Sequence, residues 1–130
     1  MLIKLGEIYN LINNESFKKL GNTKLTTVKD TWNLTKNIDK ILKLGEKINK
    51  SYNDIVLKYG EKNDKDNYFI PNFLEDGSEN PNIKLFLSEK EELFSIEEEV
   101  DILSININAF DDDTHLEVSD LMAIKFMITE

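Results

Sequence analysis

Between Asn108 and Asp120 the chain reads NAFDDDTHLEVSD, and here the side chains able to do chemistry stand closest together. Asp111, Asp112 and Asp113 are consecutive, and His115, the only histidine, follows two residues later. Such a set can bind a cation, transfer protons or simply solvate a turn. The spacing argues against the first two. Consecutive side chains of an extended segment point to opposite sides, so three aspartates in a row do not converge on one ion. A calcium loop of the EF-hand kind needs acids at alternate positions, a central glycine and a terminal glutamate, and this stretch lacks the glycine and the spacing. Zinc asks for histidine and cysteine together, and the chain has one His and no Cys. Asp113, His115 and Glu117 do alternate, which leaves room for a weak ion site only. The expectation is a solvated turn whose charge favours the N-terminus of the helix after it, with no metal and no cofactor.

Catalysis finds no better support elsewhere. A nucleophilic triad needs a base beside its Ser or Cys, and no serine here stands in a nucleophile-elbow pattern. The 5 glycines are scattered and form neither a phosphate loop nor a dinucleotide fingerprint. Carboxylates crowd the second half so evenly that no pair stands out as an acid–base couple. The chain reads as a non-enzyme.

The elements that must position these residues begin with MLIKL, Met1 to Leu5, a short strand. Glu7 to Leu20 carries Ile8, Leu11 and Ile12 at helical spacing, but Asn13, Asn14 and Gly21 punctuate it, predicting one broken helix or two short ones. Thr27 to Tyr59 is the strongest signal. Thr27 with Asp30 suits a helix N-cap. Leu34, Ile38, Ile41, Gly45, Ile48, Tyr52, Ile55 and Tyr59 then step alternately by 4 and 3, the seam of a heptad-patterned helix, and Gly60 stops it. Such a helix is about 50 Å long, so its seam must meet another long element or a second copy of the chain. Gly45 on the seam marks a close backbone contact or a kink. Lys36, Lys40, Lys43, Lys47 and Lys50 form a second, basic stripe, read as lying beside the seam. It is either a solvated face or a phosphate-binding one. With no arginine in the chain, sequence-specific reading of nucleic acid bases is not expected.

Glu61 to Pro81 is a polar connection holding both prolines, with a short strand at Tyr68 to Ile70. Ser88 and Glu91 form a capping box that opens a short helix, unless Asn82 to Leu87 starts it earlier. Glu97 to Asn108, EEEVDILSININ, is β-branched and alternates at Leu103, Ile105 and Ile107, predicting the best strand of the chain. Ser119 caps a last helix, Asp120 to Ile128. The class is α+β in a single domain, 1–130. One long helix in the N-terminal half stands against a small β-sheet, made of the chain start and residues about 98–108, with short flanking helices.

Charge divides the chain. Residues 1–60, mainly helical, hold 11 lysines and 6 acids, whereas 61–130 hold 5 lysines and 19 acids, for a net −9. The halves either dock on each other or present two faces to partners. No apolar run is long enough to span a membrane, and the residues MLIKLGEIYN lack the basic start and continuous apolar block expected of a signal peptide. Absent cysteine is compatible with a reducing cytoplasm.

The order of pieces carries a resemblance. A short strand leads to the long helix VKDTWNLTKNIDKILKLGEKINKSYNDIVLKYGEK, a polar turn with DNYFIP, the glutamate-led EEEVDILSINI and the ending LEVSDLMAIKFMITE. Over nearly its whole length the chain resembles small uncharacterised proteins encoded by phages and prophages of Gram-positive bacteria. The resemblance implies a product that works in the host bacterial cytoplasm or is carried in a virion, and it transfers no site residue. Three readings stay open. A protein binder acts on a host protein, such as a defence enzyme, through an acidic face holding Glu97, Glu98, Glu99, Asp111, Asp112 and Asp113. A virion or assembly component forms homo-oligomers through the helical seam. A sponge for anionic nucleotides uses the lysine stripe.

Overall fold

The computed structural model describes residues 1–110 and 116–130. It shows the α+β class with one dominating helix. Strand β1 (Leu2–Lys4) leads directly into α1 (Leu5–Ile12) and α2 (Glu15–Lys19), followed by a 3-10 turn at Leu20–Asn22. Asn14 separates the two short helices by capping the second, its side chain accepting from the Phe17 N–H at 3.1 Å.

Helix α3 (Val28–Tyr59) runs unbroken for 32 residues. Thr27 caps it as its sequence predicts: the hydroxyl oxygen accepts from the Asp30 N–H at 3.0 Å, and the hydroxyl donates to the Asp30 carboxylate at 2.8 Å. Along the seam Leu34, Ile38, Ile41, Gly45 and Ile48 are buried, whereas Tyr52, Ile55 and Tyr59 are half-buried. The first half of the seam, as far as Ile48, is covered from within the chain. Helix α1 lies across it, with Leu5, Ile8 and Ile12 turned inward. Gly45 is the expected close contact on the seam, made by the side chain of Ile12 against the α3 backbone. It makes room for a side chain: a Cβ there would sit 2.7 Å from Ile12 Cγ2.

Beyond α3, β2 (Glu61–Lys62) pairs antiparallel with β3 (Tyr68–Phe69). Helix α4 (Pro81–Phe94) begins seven residues before the Ser88 capping box, and Ser88 is an exposed mid-helix residue. Asn80 is its cap, accepting from the Asn82 N–H at 3.0 Å while its amide donates to the Pro71 carbonyl at 2.9 Å. Pro81 holds the φ that the first turn requires. Tyr9, Tyr52 and Phe94, with ring centroids 4.9 to 6.0 Å apart, tie α1, α3 and α4 together.

The strand expected over 97–108 is broken up. Residues Glu97–Glu99 form β4, Ile105–Asn106 form β5, and Ile107–Ala109 form a 3-10 turn. The interruption has a cause on α3. Asn37, fully buried, accepts from the Leu103 N–H at 2.8 Å and donates to its carbonyl at 2.7 Å, taking both groups a neighbouring strand would use. Asn33 and Lys40, on either side of Asn37 on the same helix flank, donate to the carbonyls of Ser104 at 3.2 Å and Asp101 at 2.7 Å. Side chains thus replace a ladder. The expected pairing of the chain start with this segment is present as β1 with β4, and among the described residues two further two-stranded pairings stand apart from it, β2 with β3 and β5 with β6 (Ile128–Thr129), the last parallel.

The last helix, α5 (Val118–Ala123), is shorter than its apolar spacing predicts, and Glu117 rather than Ser119 occupies the cap position. The Asp120 carboxylate accepts from the Glu117 N–H at 2.8 Å, which fixes the first turn two residues early. A 3-10 turn at Lys125–Met127 then delivers Ile128 to β5. The core lies under the first half of α3, where Ile8, Phe17, Leu20, Ile41, Ile105 and Ile124 are almost completely buried.

Candidate functional site

Strand β4 carries the acids that sequence singles out. Glu97, Glu98 and Glu99 are all exposed and pair in antiparallel register with Lys4, Ile3 and Leu2. Met1 and Val100 exchange both backbone bonds, at 2.9 and 3.1 Å, and the Leu5 N–H donates to the Ile96 carbonyl at 2.9 Å. Bonded and non-bonded pairs alternate in an antiparallel ladder. The N–H and C=O of Glu97 and Glu99 therefore point away from β1. Among the described residues β4 has no second neighbour, so those groups form a free edge. The Glu99 carboxylate pairs with the terminal ammonium of Met1, whereas Glu97 and Glu98 make no ion pair among the described residues.

Along β4, Glu97 and Glu99 share one side of the strand with Lys4 and Leu2, whereas Glu98 lies on the other side with Ile3, so these acids form a flank around the outer edge and that flank extends beyond them. Exposed Glu91 and Glu92 close α4 just ahead of them, and exposed Asp101 follows. The last turn of α4 holds no basic residue, so two carboxylates face the negative end of the helix dipole uncompensated. This extension was legible in the sequence as six acids between Glu91 and Asp101, once α4 and β4 are seen to be consecutive. Asp111, Asp112 and Asp113, the other part of the expected face, lie outside the described residues, as does His115. Among the described residues no group of three His, Cys, Asp or Glu could hold a metal ion.

The lysine stripe lies on the far side of α3 and not beside the seam. At 3.6 residues per turn its five members cluster within about 40° of one direction, roughly 150° from the seam. Lys36, Lys43, Lys47 and Lys50 are exposed, and Lys40 is half-buried. The stripe is partly engaged within the chain. Lys40 holds the 101–104 segment, Lys43 pairs with Asp39 at 3.0 Å, and Lys36 lies 5.6 Å from the centre of the Trp32 ring.

Two ion pairs fasten distant elements and shift the groups that make them. Lys19 Nζ lies 2.8 Å from Asp120 Oδ2, joining α2 to α5. That hydrogen bond, with the Glu117 N–H, holds the Asp120 carboxyl below the usual aspartate range, and the same bond raises Lys19. Lys58 and Glu89, 2.7 Å apart, join α3 to α4. Their hydrogen bond lowers the Glu89 carboxyl and raises the Lys58 ammonium. Both pairs read as fasteners.

Among the described residues no helix is long and apolar enough to cross a membrane. Comparison with protein-family models, with curated proteins and with solved structures finds no match to this chain.

Proposed function

We propose that this chain acts by binding and not by catalysis, and that it presents the acidic flank formed by the end of α4 and by β4 to a basic protein partner. The observation that carries the reading is the free edge of β4 beneath three exposed glutamates. An open edge strand invites pairing with any extended chain, and charge decides which chains are admitted. Glutamates repel the acidic edge of another copy and attract a strand or groove rich in Lys or Arg. The phage resemblance supplies a setting: a host protein whose basic surface ordinarily meets nucleic acid, such as a defence nuclease, offers the matching charge. Assembly through the whole seam of α3 is the weaker reading, because α1 and the core already cover its first half, from Leu34 to Ile48.

The experiment isolates a partner from a lysate of a Gram-positive host and measures its association with the purified chain at low and high salt. Replacing Glu97, Glu98 and Glu99 together by Gln should leave the fold intact. It should slow association at low salt by roughly tenfold and flatten the salt dependence, since steering by surface charge acts within a Debye length of about 8 to 10 Å. Equal association rates for parent and variant at every salt concentration would end the acidic-face reading.

A further inference from the structure

The half of the molecule farthest from the core is unfinished. Past Ile48 no residue of α3 is fully buried, and α4 has no buried residue along its whole length. Tyr68, Phe69, Phe73, Leu74, Leu85 and Leu87 are all exposed at this end. The total confirms a surplus of surface. The chain exposes 8968 Å². A compact monomer of 15.1 kDa exposes about 7,100 Å², so the surplus is roughly 1,900 Å². One side of a standard protein interface covers about 800 Å².

The shape of this end says what covers it. Between α3, α4 and the β2–β3 hairpin runs a groove of about 570 Å³, walled by Tyr52, Val56, Tyr68, Phe69, Ile83 and Phe86. Phe73 is 62 % exposed. It follows Asn72 on the rim of that groove and is not part of its lining. The exposed Phe73 ring walls a shallow hollow that shares Asn72 and Ile83 with the groove, so an exposed aromatic ring and an apolar groove lie side by side on one surface. A two-fold interface uses the same patch on both subunits, so a patch holding both knob and hole complements itself. The charge at this end permits a self-contact in an acidic chain: residues 56–88 hold 4 lysines and 6 acids, far nearer balance than the acidic flank around β4.

We infer that the chain forms a two-fold dimer in which Phe73 of each copy enters the groove between α3 and α4 of the other. The acidic edge of β4 lies beyond the opposite end of α4 and stays free, so the dimer stands or falls independently of the proposed partner-binding face.

Sedimentation equilibrium on the full chain tests this. The parent should weigh twice 15.1 kDa at concentrations of about 100 μM and dissociate in the micromolar range. Phe73→Ser, on the knob, and Leu87→Asp, at the groove mouth where Leu87 is 51 % exposed, should each weaken the dimer by about a hundredfold or more. Both should keep the parent's melting behaviour when compared as monomers, because neither side chain is buried. Trp32→Ser, at the other end of α3 and 61 % exposed, should dimerise as the parent does. A parent that stays monomeric up to about 1 mM overturns the inference. So does a dimer that survives Phe73→Ser and Leu87→Asp, or one that Trp32→Ser dissolves equally well.

Discussion

Asp120 shows how one carboxylate can hold a chain terminus in place. It is 1 % exposed, accepts from the Glu117 N–H and pairs with Lys19 of α2. Its carboxyl is lowered by the Lys19 hydrogen bond first and by the Glu117 N–H second. A lowered carboxyl binds fewer protons folded than unfolded, so its contribution is present above the ordinary aspartate pKa of about 3.9 and is lost as pH falls through the folded value. Lys19 is raised, so its share is full below the ordinary lysine value of about 10.4 and is lost as pH rises past it. Asp120→Asn should therefore cost stability by a constant amount between about pH 5 and 9, and the gap to the parent should close below about pH 4. Urea unfolding across pH measures this, and a gap independent of pH down to pH 2 would remove the carboxylate from the explanation. Sequence alone places Asp120 only at the start of a helix. Its partner stands about a hundred residues away in a different short helix, and nothing local announces a pairing of that span. Asn37 is harder still to foresee. An asparagine inside a helix carries a mildly unfavourable propensity and no further message, yet its amide occupies both backbone groups of Leu103.

At the scale of elements, legibility followed periodicity. The 32-residue α3, its Thr27 cap and its buried seam are visible because one face repeats over many turns, and each turn adds to the same signal. The expected strand over 97–108 failed because its alternation was real but its would-be neighbour was a helix flank: Asn33, Asn37 and Lys40 supply hydrogen bonds that no strand pattern encodes. Helix α4 takes the earlier of the two starts left open by its sequence, because Asn80 caps it and Pro81 supplies the φ of its first turn, leaving Ser88 in mid-helix. The acids of β4 were legible as acids, but their place on a free edge depended on pairing with the chain start. Gly45 offers a test of the α1–α3 contact. In an exposed helix Gly→Ala gains about 1 kcal/mol. Here the new Cβ meets Ile12 Cγ2 at 2.7 Å and Cδ1 at 2.9 Å, and overpacking of this kind costs about 1–3 kcal/mol. Gly45→Ala alone should be neutral to destabilising by about 2 kcal/mol, and Ile12→Val, which removes Cδ1, should recover part of the loss when added to it. A double-mutant cycle by chemical denaturation measures the coupling. Strict additivity of the two changes would mean that α1 does not rest on Gly45.

Over the whole molecule the basic and acidic halves do dock, and charge is left over. Lys19 with Asp120, Lys40 with Asp101, Lys58 with Glu89 and the Met1 ammonium with Glu99 each join the first half to the second. Apart from Asp120 their members keep substantial exposure, and exposed pairs contribute about 0–1 kcal/mol each. Against them stands the net −9, much of it on one flank where Glu91, Glu92, Glu97, Glu98 and Asp101 are neighbours. The two effects respond differently to salt. Contact pairs near 3 Å lie well inside a Debye length at any ordinary ionic strength, whereas repulsion among many separated carboxylates acts over distances that about 0.15 M salt screens. Repulsion is therefore cut more than attraction. Raising sodium chloride from about 20 to 200 mM should stabilise the chain by on the order of 0.5–1 kcal/mol, seen as a rise of a few degrees in melting temperature. The triple replacement of Glu97, Glu98 and Glu99 by Gln should melt higher than the parent at low salt and respond less to added salt, because among the described residues only Glu99 of the three makes an ion pair, with Lys4 across the strand from Glu97 as the one other neighbouring cation of the pairing. That result would mean the flank carries its charge at a cost to the fold, as a surface kept for a basic partner would. If the parent instead loses stability as salt rises, the docked pairs dominate. The three glutamates then serve the fold through their pairing with the chain start, and the case for a partner at β4 weakens with them.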